Sequence, residues 1–158
     1  MISRLFNQIK TQQMNKLIIT TDLSKDRDRI IETGLDFARK LQAGVDLLTI
    51  VNTNLDYIPA DIGINFADQW EARKYIAEQT LQEVKDRHPD MPINVVVLIG
   101  DPREDIIDYA IEQKAAVIVM GTVGRTGLSH VVMGSTAEYI IRHSPVPVLV
   151  VPVQNEPH

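Results

Sequence analysis

The sequence predicts an α/β fold, in which a single domain holds an open, five-stranded parallel sheet with helices on both faces. Two observations support this prediction. Short apolar runs rich in Val, Ile and Leu alternate along the chain with longer stretches whose apolar residues recur at helical spacing. Several of these runs are apolar at nearly every position, as is typical of strands buried on both faces of a parallel sheet. The length of 158 residues suits one domain.

The N-terminal part of the chain predicts a strand, a helix and a second strand. Residues 16–21, KLIITT, form a short run rich in β-branched side chains and predict the first strand. In residues 26–43 the apolar positions fall on one face of a helix, and Gly44 is a suitable stop signal for it. Residues 45–51, VDLLTIV, are mostly apolar and predict the second strand.

A long connection and a second helix follow. Residues 52–65 form a loop that is longer than most connections, which indicates a role in function or mobility. Helical spacing returns at Trp70 and continues until Pro89 ends the helix near residue 88. Residues 94–99, NVVVLI, predict the third strand.

The segment after the third strand carries several signals for the start of a helix. Asp101 can cap the helix, Pro102 suits its first position, and Glu104 is placed to complete a capping box. Apolar residues between positions 106 and 111 supply the buried face of this third helix. Residues 115–120 then predict the fourth strand.

The last predicted helix and strand occupy the C-terminal part of the chain. Ser135 is followed by Glu138, and this spacing is the signature of a capping box at the start of a helix over residues 135–143. The helix stops before Pro145. Residues 146–151 are mostly apolar on both faces and predict the fifth strand.

Four glycines lie between the fourth strand and the fourth helix. Gly121 ends the strand, Gly124 and Gly127 follow it, and Gly134 stands directly before the helix. Glycine lets the backbone turn and approach a ligand closely, and a helix start offers unpaired N–H groups with partial positive charge. In parallel sheets, ligands bind where the strand order reverses, and we expect Asp22 and Gly121 to flank that crevice. The sequence therefore predicts a cradle for phosphate.

Composition and the absence of other motifs narrow the possible functions. The net charge of −5 and the lack of a basic run argue against a nucleic-acid partner. No apolar stretch reaches the roughly 20 residues that cross a bilayer, and the absence of cysteine is compatible with a cytoplasmic protein. The four histidines show no ligand spacing, so we predict no metal site. A Gly-Lys pair is absent, and no Gly-x-Gly follows the first strand, which argues against P-loop NTPases and dinucleotide dehydrogenases.

The sequence resembles the universal stress protein family from about residue 15 to residue 152. Three segments are similar to the first strand, the entry to the third helix and the closing strand of that family, namely KLIITTDLS, GDPREDIIDYA and SPVPVLVVP. The most specific element is the nucleotide motif of the family, Gly-x2-Gly-x9-Gly-Ser/Thr. It is matched here by Gly121, Gly124, Gly134 and Ser135.

This resemblance implies an ATP-binding protein that acts as a regulatory, stress-response homodimer. The implied fold is a Rossmann-like sheet of the adenine nucleotide-binding type, with dimer contacts through the C-terminal strand, residues 146–151. ATP would place its phosphates, with or without Mg²⁺, on the glycine-rich segment, and its adenosine end near the aspartate after the first strand. The implied nucleotide-binding residues are Thr21, Asp22, Ile50, Met120, Gly121, Val123, Gly124, Arg125, Gly127, Gly134, Ser135 and Thr136.

Ordinary structural roles compete with ligand binding at four of these residues. Ser135 could donate its hydroxyl to a phosphate or serve only as a helix N-cap. Asp22 could contact adenosine or close the turn after the first strand. Arg125 could reach phosphate charge or remain exposed to solvent. Met120 could line the pocket through its backbone while its side chain fills the core.

Two other functions remain open from the sequence. One is a slow ATPase or phosphotransferase, for which Asp22 is the nearby carboxylate. The other is a protein–protein interaction module that does not use nucleotide. We also expect an N-terminal extension over residues 1–13, either disordered or a short helix, before a domain over residues 14–153 and a tail over residues 154–158.

Overall fold

The fold is an α/β domain with five strands and four helices in the described part of the chain. The structure, a computed structural model, describes residues 16–54, 66–122 and 133–152. Strands and helices alternate along these segments, as the sequence predicts. The elements are β1 (Lys16–Thr20), α1 (Arg27–Leu41), β2 (Gly44–Asn52), α2 (Phe66–Arg87), β3 (Ile93–Gly100), α3 (Pro102–Glu112), β4 (Val117–Gly121), α4 (Ser135–His143) and β5 (Val148–Val151).

The five strands form one parallel sheet with the order β3-β2-β1-β4-β5. The chain winds outward from β1 to β3 and then crosses back to the other side of β1. The order therefore reverses between β1 and β4, which pair directly, with Ile19 opposite Val119. Because these strands are parallel, their carboxyl ends meet at the same edge. This edge contains Thr21 and Gly121, and it is the predicted position for a ligand.

Two apolar clusters bury the two faces of the sheet. One combines side chains of β1, β2 and β4 with residues of α1 and α2, such as Leu35 and Leu81, which are both 0% exposed. The other cluster joins the opposite face to α3 and α4, through residues such as Ala110 and Ile140. The helices therefore cover both faces, and the predicted fold class is confirmed.

Helix α1 lies unusually close to the centre of the sheet at Gly34. A Cβ atom built on Gly34 would stand 2.6 Å from Cδ1 of Ile19 and 3.3 Å from Cγ1 of Val119. Both of these strand side chains are completely buried. A Cβ atom at this position therefore requires a shift of the Ile19 side chain or of the helix itself.

Several element boundaries differ from the sequence predictions. Helix α1 ends on Gln42, which adopts the left-handed conformation with φ of 54°, and the predicted stop Gly44 instead begins β2. The predicted fifth strand begins two residues too early, because the Ser144 hydroxyl donates to the Val146 carbonyl at 2.8 Å and closes a turn there. By contrast, Asp101 caps α3 as predicted and accepts from the Arg103 amide at 2.9 Å.

One acidic side chain is buried at the amino end of the sheet, far from the ligand edge. Asp46 on β2 is 1% exposed and accepts a hydrogen bond from the Tyr109 hydroxyl at 2.8 Å. The ammonium group of Lys16 lies 3.1 Å from the same carboxylate. Burial, together with the hydrogen bond to Asp46, raises the pKa of Tyr109 well above its usual value. These contacts compensate the buried charge and tie α3 to β1 and β2.

Candidate nucleotide site

The first wall of the candidate site is the backbone turn that follows β1. The Thr21 amide donates to the Leu48 carbonyl at 3.1 Å, and the Thr49 hydroxyl donates to the Thr21 carbonyl at 2.8 Å. Thr21 is 6% exposed, and its own hydroxyl oxygen accepts from the Leu23 amide. These bonds fix the end of β1 against β2, so that the next residue, Asp22, has a defined position at the ligand edge.

Asp22 closes a turn at this edge. Its Oδ1 atom accepts from the Ser24 amide at 3.0 Å, which is the geometry of an Asx turn. Leu23, between them, has a positive φ of 61°. Asp22 therefore has the turn-closing role that the sequence left as an alternative. The second oxygen, Oδ2, makes no hydrogen bond within the described segments, so it is available to a ligand hydroxyl or amine.

Ile50 and Met120 lie beneath this edge, one on each side of the end of β1. Both belong to the apolar cluster under α3 and α4, with exposed fractions of 8% and 5%. The Met120 side chain is thus part of the core. Contact with a ligand above the sheet would therefore involve the small exposed fraction of these side chains and the backbone at Met120 and Gly121.

The other wall of the site is the start of α4. Gly134 is the N-cap residue, with extended φ and ψ of −60° and 149°, and Ser135 is the first helical residue. The predicted capping box is therefore wrong, because Ser135 and Glu138 each lie one position too far into the helix. Glu138 instead pairs with Arg142 at 2.9 Å, one turn further along α4. A glycine N-cap has no side chain that could satisfy the amides of the first turn.

The helix start is also tied to the end of β4. The Gly134 amide donates to the Thr122 carbonyl at 2.8 Å, and the Gly134 carbonyl accepts from the Glu138 amide at 2.9 Å. The amides of Ser135, Thr136 and Ala137 have no hydrogen-bond partner among the described residues. Three free N–H groups with the positive end of the helix dipole thus lie next to Gly121 and Thr122, which is a favourable arrangement for an anion.

Four of the predicted site residues lie outside the described residues. These are Val123, Gly124, Arg125 and Gly127. Their roles toward phosphate stay predictions. Thr122 and Gly134, which lie on either side of residues 123–132 in the sequence, are joined by the backbone hydrogen bond noted above.

A polar cluster beside the site was not predicted as functional. Asp101 accepts from Nη2 of Arg103 at 2.8 Å and from Nε at 3.2 Å, and also from the Asn54 side-chain amide at 3.0 Å. The hydrogen bonds from the Arg103 guanidinium lower the pKa of Asp101. The cluster lies at the carboxyl ends of β2 and β3. In the sequence, Asp101 carried only a helix-start signal, and the spacing of Asp101 and Arg103 gave no separate indication.

Two absences hold for the described residues. Over 16–54, 66–122 and 133–152, no helix is long and apolar enough to cross a membrane. Within the same segments, no group of three or more His, Cys, Asp or Glu side chains is arranged to hold a metal ion.

Comparisons with known proteins agree with this fold. Residues 14–152 match the model of the universal stress protein family. Universal stress protein MJ0531 of Methanocaldococcus jannaschii is 30% identical over 142 residues, which cover 86% of this chain and 81% of that protein. The chain spans a smaller part of other curated relatives that it matches, for example 50% of the length of one and 40% of the length of another.

Two solved structures illustrate the similarity in fold. Universal stress protein UspA from Lactobacillus plantarum superposes with a TM-score of 0.77 at 21% identity, over 88% of this chain and 98% of that one. A universal stress protein in complex with cAMP superposes with a TM-score of 0.60 at 23% identity, over 87% and 96% of the two chains. Because the family model matches nearly the whole length of this chain, the chain belongs to the universal stress protein family.

Proposed function

We propose that this protein binds ATP at the carboxyl edge of the sheet and acts as a nucleotide-dependent regulator in the stress response. One observation carries the proposal. Three amides at the start of α4 have no hydrogen-bond partner among the described residues, and this helix start is bonded to Thr122 after β4, beside the point where the strand order reverses. A helix start of this kind binds anionic oxygens without any charged side chain, because its N–H groups and dipole are already in place.

The two walls of the site suggest how ATP would be oriented. The phosphates would lie on the amides of Ser135 and Thr136 and on the glycine-rich segment that begins at Gly121. The adenosine end would then reach the turn after β1, where Asp22 Oδ2 can accept from a ribose hydroxyl or from the adenine amino group. Ile50 and the backbone of Met120 would border the base. This orientation puts one negatively charged side chain at the neutral end of the ligand.

The choice among adenine nucleotides depends on the number of phosphate groups. A member of the family has been solved in complex with cAMP, which shares adenosine and one phosphate with ATP. We propose ATP because the amides of the helix start, together with those predicted for the glycine-rich segment, would be more than one phosphate needs. Any Mg²⁺ would be held chiefly by the phosphates.

Equilibrium dialysis with labelled ATP tests the proposal. We expect saturable binding at or below millimolar nucleotide, competition by ADP, and weaker competition by AMP, cAMP and adenosine. A lack of saturable binding at millimolar ATP would refute nucleotide binding. Competition by adenosine as strong as by ATP would show that the phosphates contribute nothing, which contradicts the assigned role of α4.

The open edge of β5 supports a homodimer. Among the described residues, strand β5 pairs with β4 alone, and its residues Val148, Leu149 and Val150 are half-buried. An apolar edge strand invites pairing with another strand, while Pro145 and Pro147 before it restrict uncontrolled association. We propose that two copies meet through residues 146–151. Sedimentation velocity should show a dimer at micromolar concentration, and a monomer alone would contradict this assembly.

A further inference from the structure

A chain of polar contacts links the segment after β2 to the first turns of α4. Asn54 donates to Asp101, and Asp101 accepts two bonds from the guanidinium of Arg103. The same guanidinium stands over the ring of Tyr139, with 5.8 Å between its central carbon and the ring centroid. A cation at this distance from an aromatic face is attracted by the ring. Arg103 thus contacts both α3 and α4 near the ligand edge.

Tyr139 is well placed to transmit this contact to the helix start. It lies one turn after Ser135 on the same side of α4, and its ring packs against the apolar cluster under α3 and α4. The ring also stacks on His143 at a centroid distance of 4.2 Å, and His143 Nδ1 lies 2.8 Å from the Tyr139 carbonyl. A contact that holds Tyr139 therefore adds to the buried Ala137 and Ile140 in holding a short helix that has no N-cap side chain.

We propose that Arg103 is a positioning residue for the nucleotide site, which holds the first turns of α4 through its contact with Tyr139. The inference rests on the proposed function, since the first-turn amides of α4 are the proposed phosphate site. Asp101 orients the guanidinium by two hydrogen bonds, and the central carbon of the guanidinium lies over the ring of Tyr139. Lysine cannot replace this arrangement, because an ammonium group cannot form the bidentate pair with Asp101 that holds the cation in place.

The phosphate dependence of binding separates positioning from a general loss of stability. We would measure dissociation constants for ATP and for adenosine in the unchanged protein and in Arg103→Ala, Arg103→Lys and Arg87→Ala. Arg87 is the matched control, because it is a 58% exposed arginine that pairs weakly with Asp28 at 3.8 Å, far from α4 in the sequence. Circular dichroism and thermal melts would confirm that each variant is folded.

We expect both Arg103 variants to bind ATP roughly 2- to 5-fold more weakly, the range for loss of one partly exposed cation–π contact. Adenosine binding and the control Arg87→Ala should stay unchanged. Three results would overturn the inference: unchanged ATP binding in Arg103→Ala, equal weakening for ATP and adenosine, or normal ATP binding in Arg103→Lys. The last would show that the positive charge acts on the ligand without fixing α4.

Hydrogen exchange gives a second readout that needs no ligand. Peptides covering residues 135–143 should exchange hydrogen faster in Arg103→Ala than in the unchanged protein. Their exchange rates should be unchanged in Arg87→Ala. Equal exchange rates would contradict the positioning role even if nucleotide affinity changed. If the unchanged protein bound neither ATP nor adenosine, the proposed function and this inference would both fail. If the unchanged protein bound ATP, and the Arg103 variants bound it as well as Arg87→Ala does, the inference alone would fail.

Discussion

Replacing Ser135 with proline removes one amide from the proposed phosphate site while leaving α4 able to form. Ser135 is the first residue of the helix, and proline is favoured at that position because its missing N–H has no intrahelical partner. The preceding residue must be extended, and Gly134 already has φ of −60° and ψ of 149°. The hydrogen bonds that hold the helix start, from Gly134 to Thr122 and from Glu138 to Gly134, use other atoms.

The expected effect follows from the loss of one charge-assisted hydrogen bond. Such bonds contribute roughly 1.5–3 kcal/mol, so ATP affinity should fall about 10- to 150-fold. The proline ring also fills the space that a phosphate oxygen would occupy, which adds to the loss. Ser135→Ala is the control, because it removes the hydroxyl and keeps the amide, and it should bind ATP within about 10-fold of the unchanged protein.

Isothermal titration calorimetry with ATP and thermal melts would make the comparison. We expect weak or undetectable ATP binding for Ser135→Pro, near-normal binding for Ser135→Ala and similar melting temperatures for both. Equal ATP affinity in the proline and alanine variants would refute the assignment of the Ser135 amide. Equal and large losses in both would assign the contact to the hydroxyl instead.

Three further predictions concern the core, the buried acid and the adenosine end. Gly34→Ala should lower the free energy of unfolding by about 1 kcal/mol in urea titrations, because the strain of overpacking against Ile19 exceeds the gain in helix propensity; a more stable variant would contradict the close approach. Tyr109→Phe should lower stability at pH 7 by about 1.5–3 kcal/mol, since buried Asp46 loses a partner. Because the pKa of Tyr109 is raised above 10.0 in the folded state, this residue makes the stability of the protein fall as pH rises above about 10. Tyr109→Phe should reduce that fall. If stability depended on pH in the same way in both proteins, the hydrogen bond between Tyr109 and Asp46 would be contradicted. Asp22→Asn keeps an acceptor for the Ser24 amide, so the fold should be unchanged, while ATP and adenosine should both bind about 10-fold more weakly; turnover lost with ATP binding intact would favour a slow ATPase.

The sequence predicts the fold well because hydrophobic patterning is a local signal. The apolar runs around Leu17, Leu47 and Val119 mark three strands whose central residues are buried. The helical spacing between these runs predicts that helices connect the parallel strands. Boundaries are less predictable where two residues compete for one role. Gln42 takes the left-handed position ahead of Gly44, and Gly134 takes the N-cap position ahead of Ser135.

Some residues of the candidate site carry a signal in the sequence, and others do not. The sequence alone singles out Gly121, Gly134 and Ser135, because glycine and helix-start residues have strong local conformational preferences. The contact between Arg103 and Tyr139 depends on how α3 packs on α4, and no local spacing records it. Tertiary contacts between distant side chains of ordinary types leave no pattern in a single sequence.

The most direct test of the central claim is an NMR titration of backbone amides with ATP. We expect large, saturable chemical-shift changes for the amides of Ser135, Thr136 and Ala137, and smaller changes at Asp22. The amides around Asp46, at the opposite end of the sheet, should not move. Saturable ATP binding that leaves the three amides of α4 unshifted would contradict the claim that the start of this helix holds the phosphates.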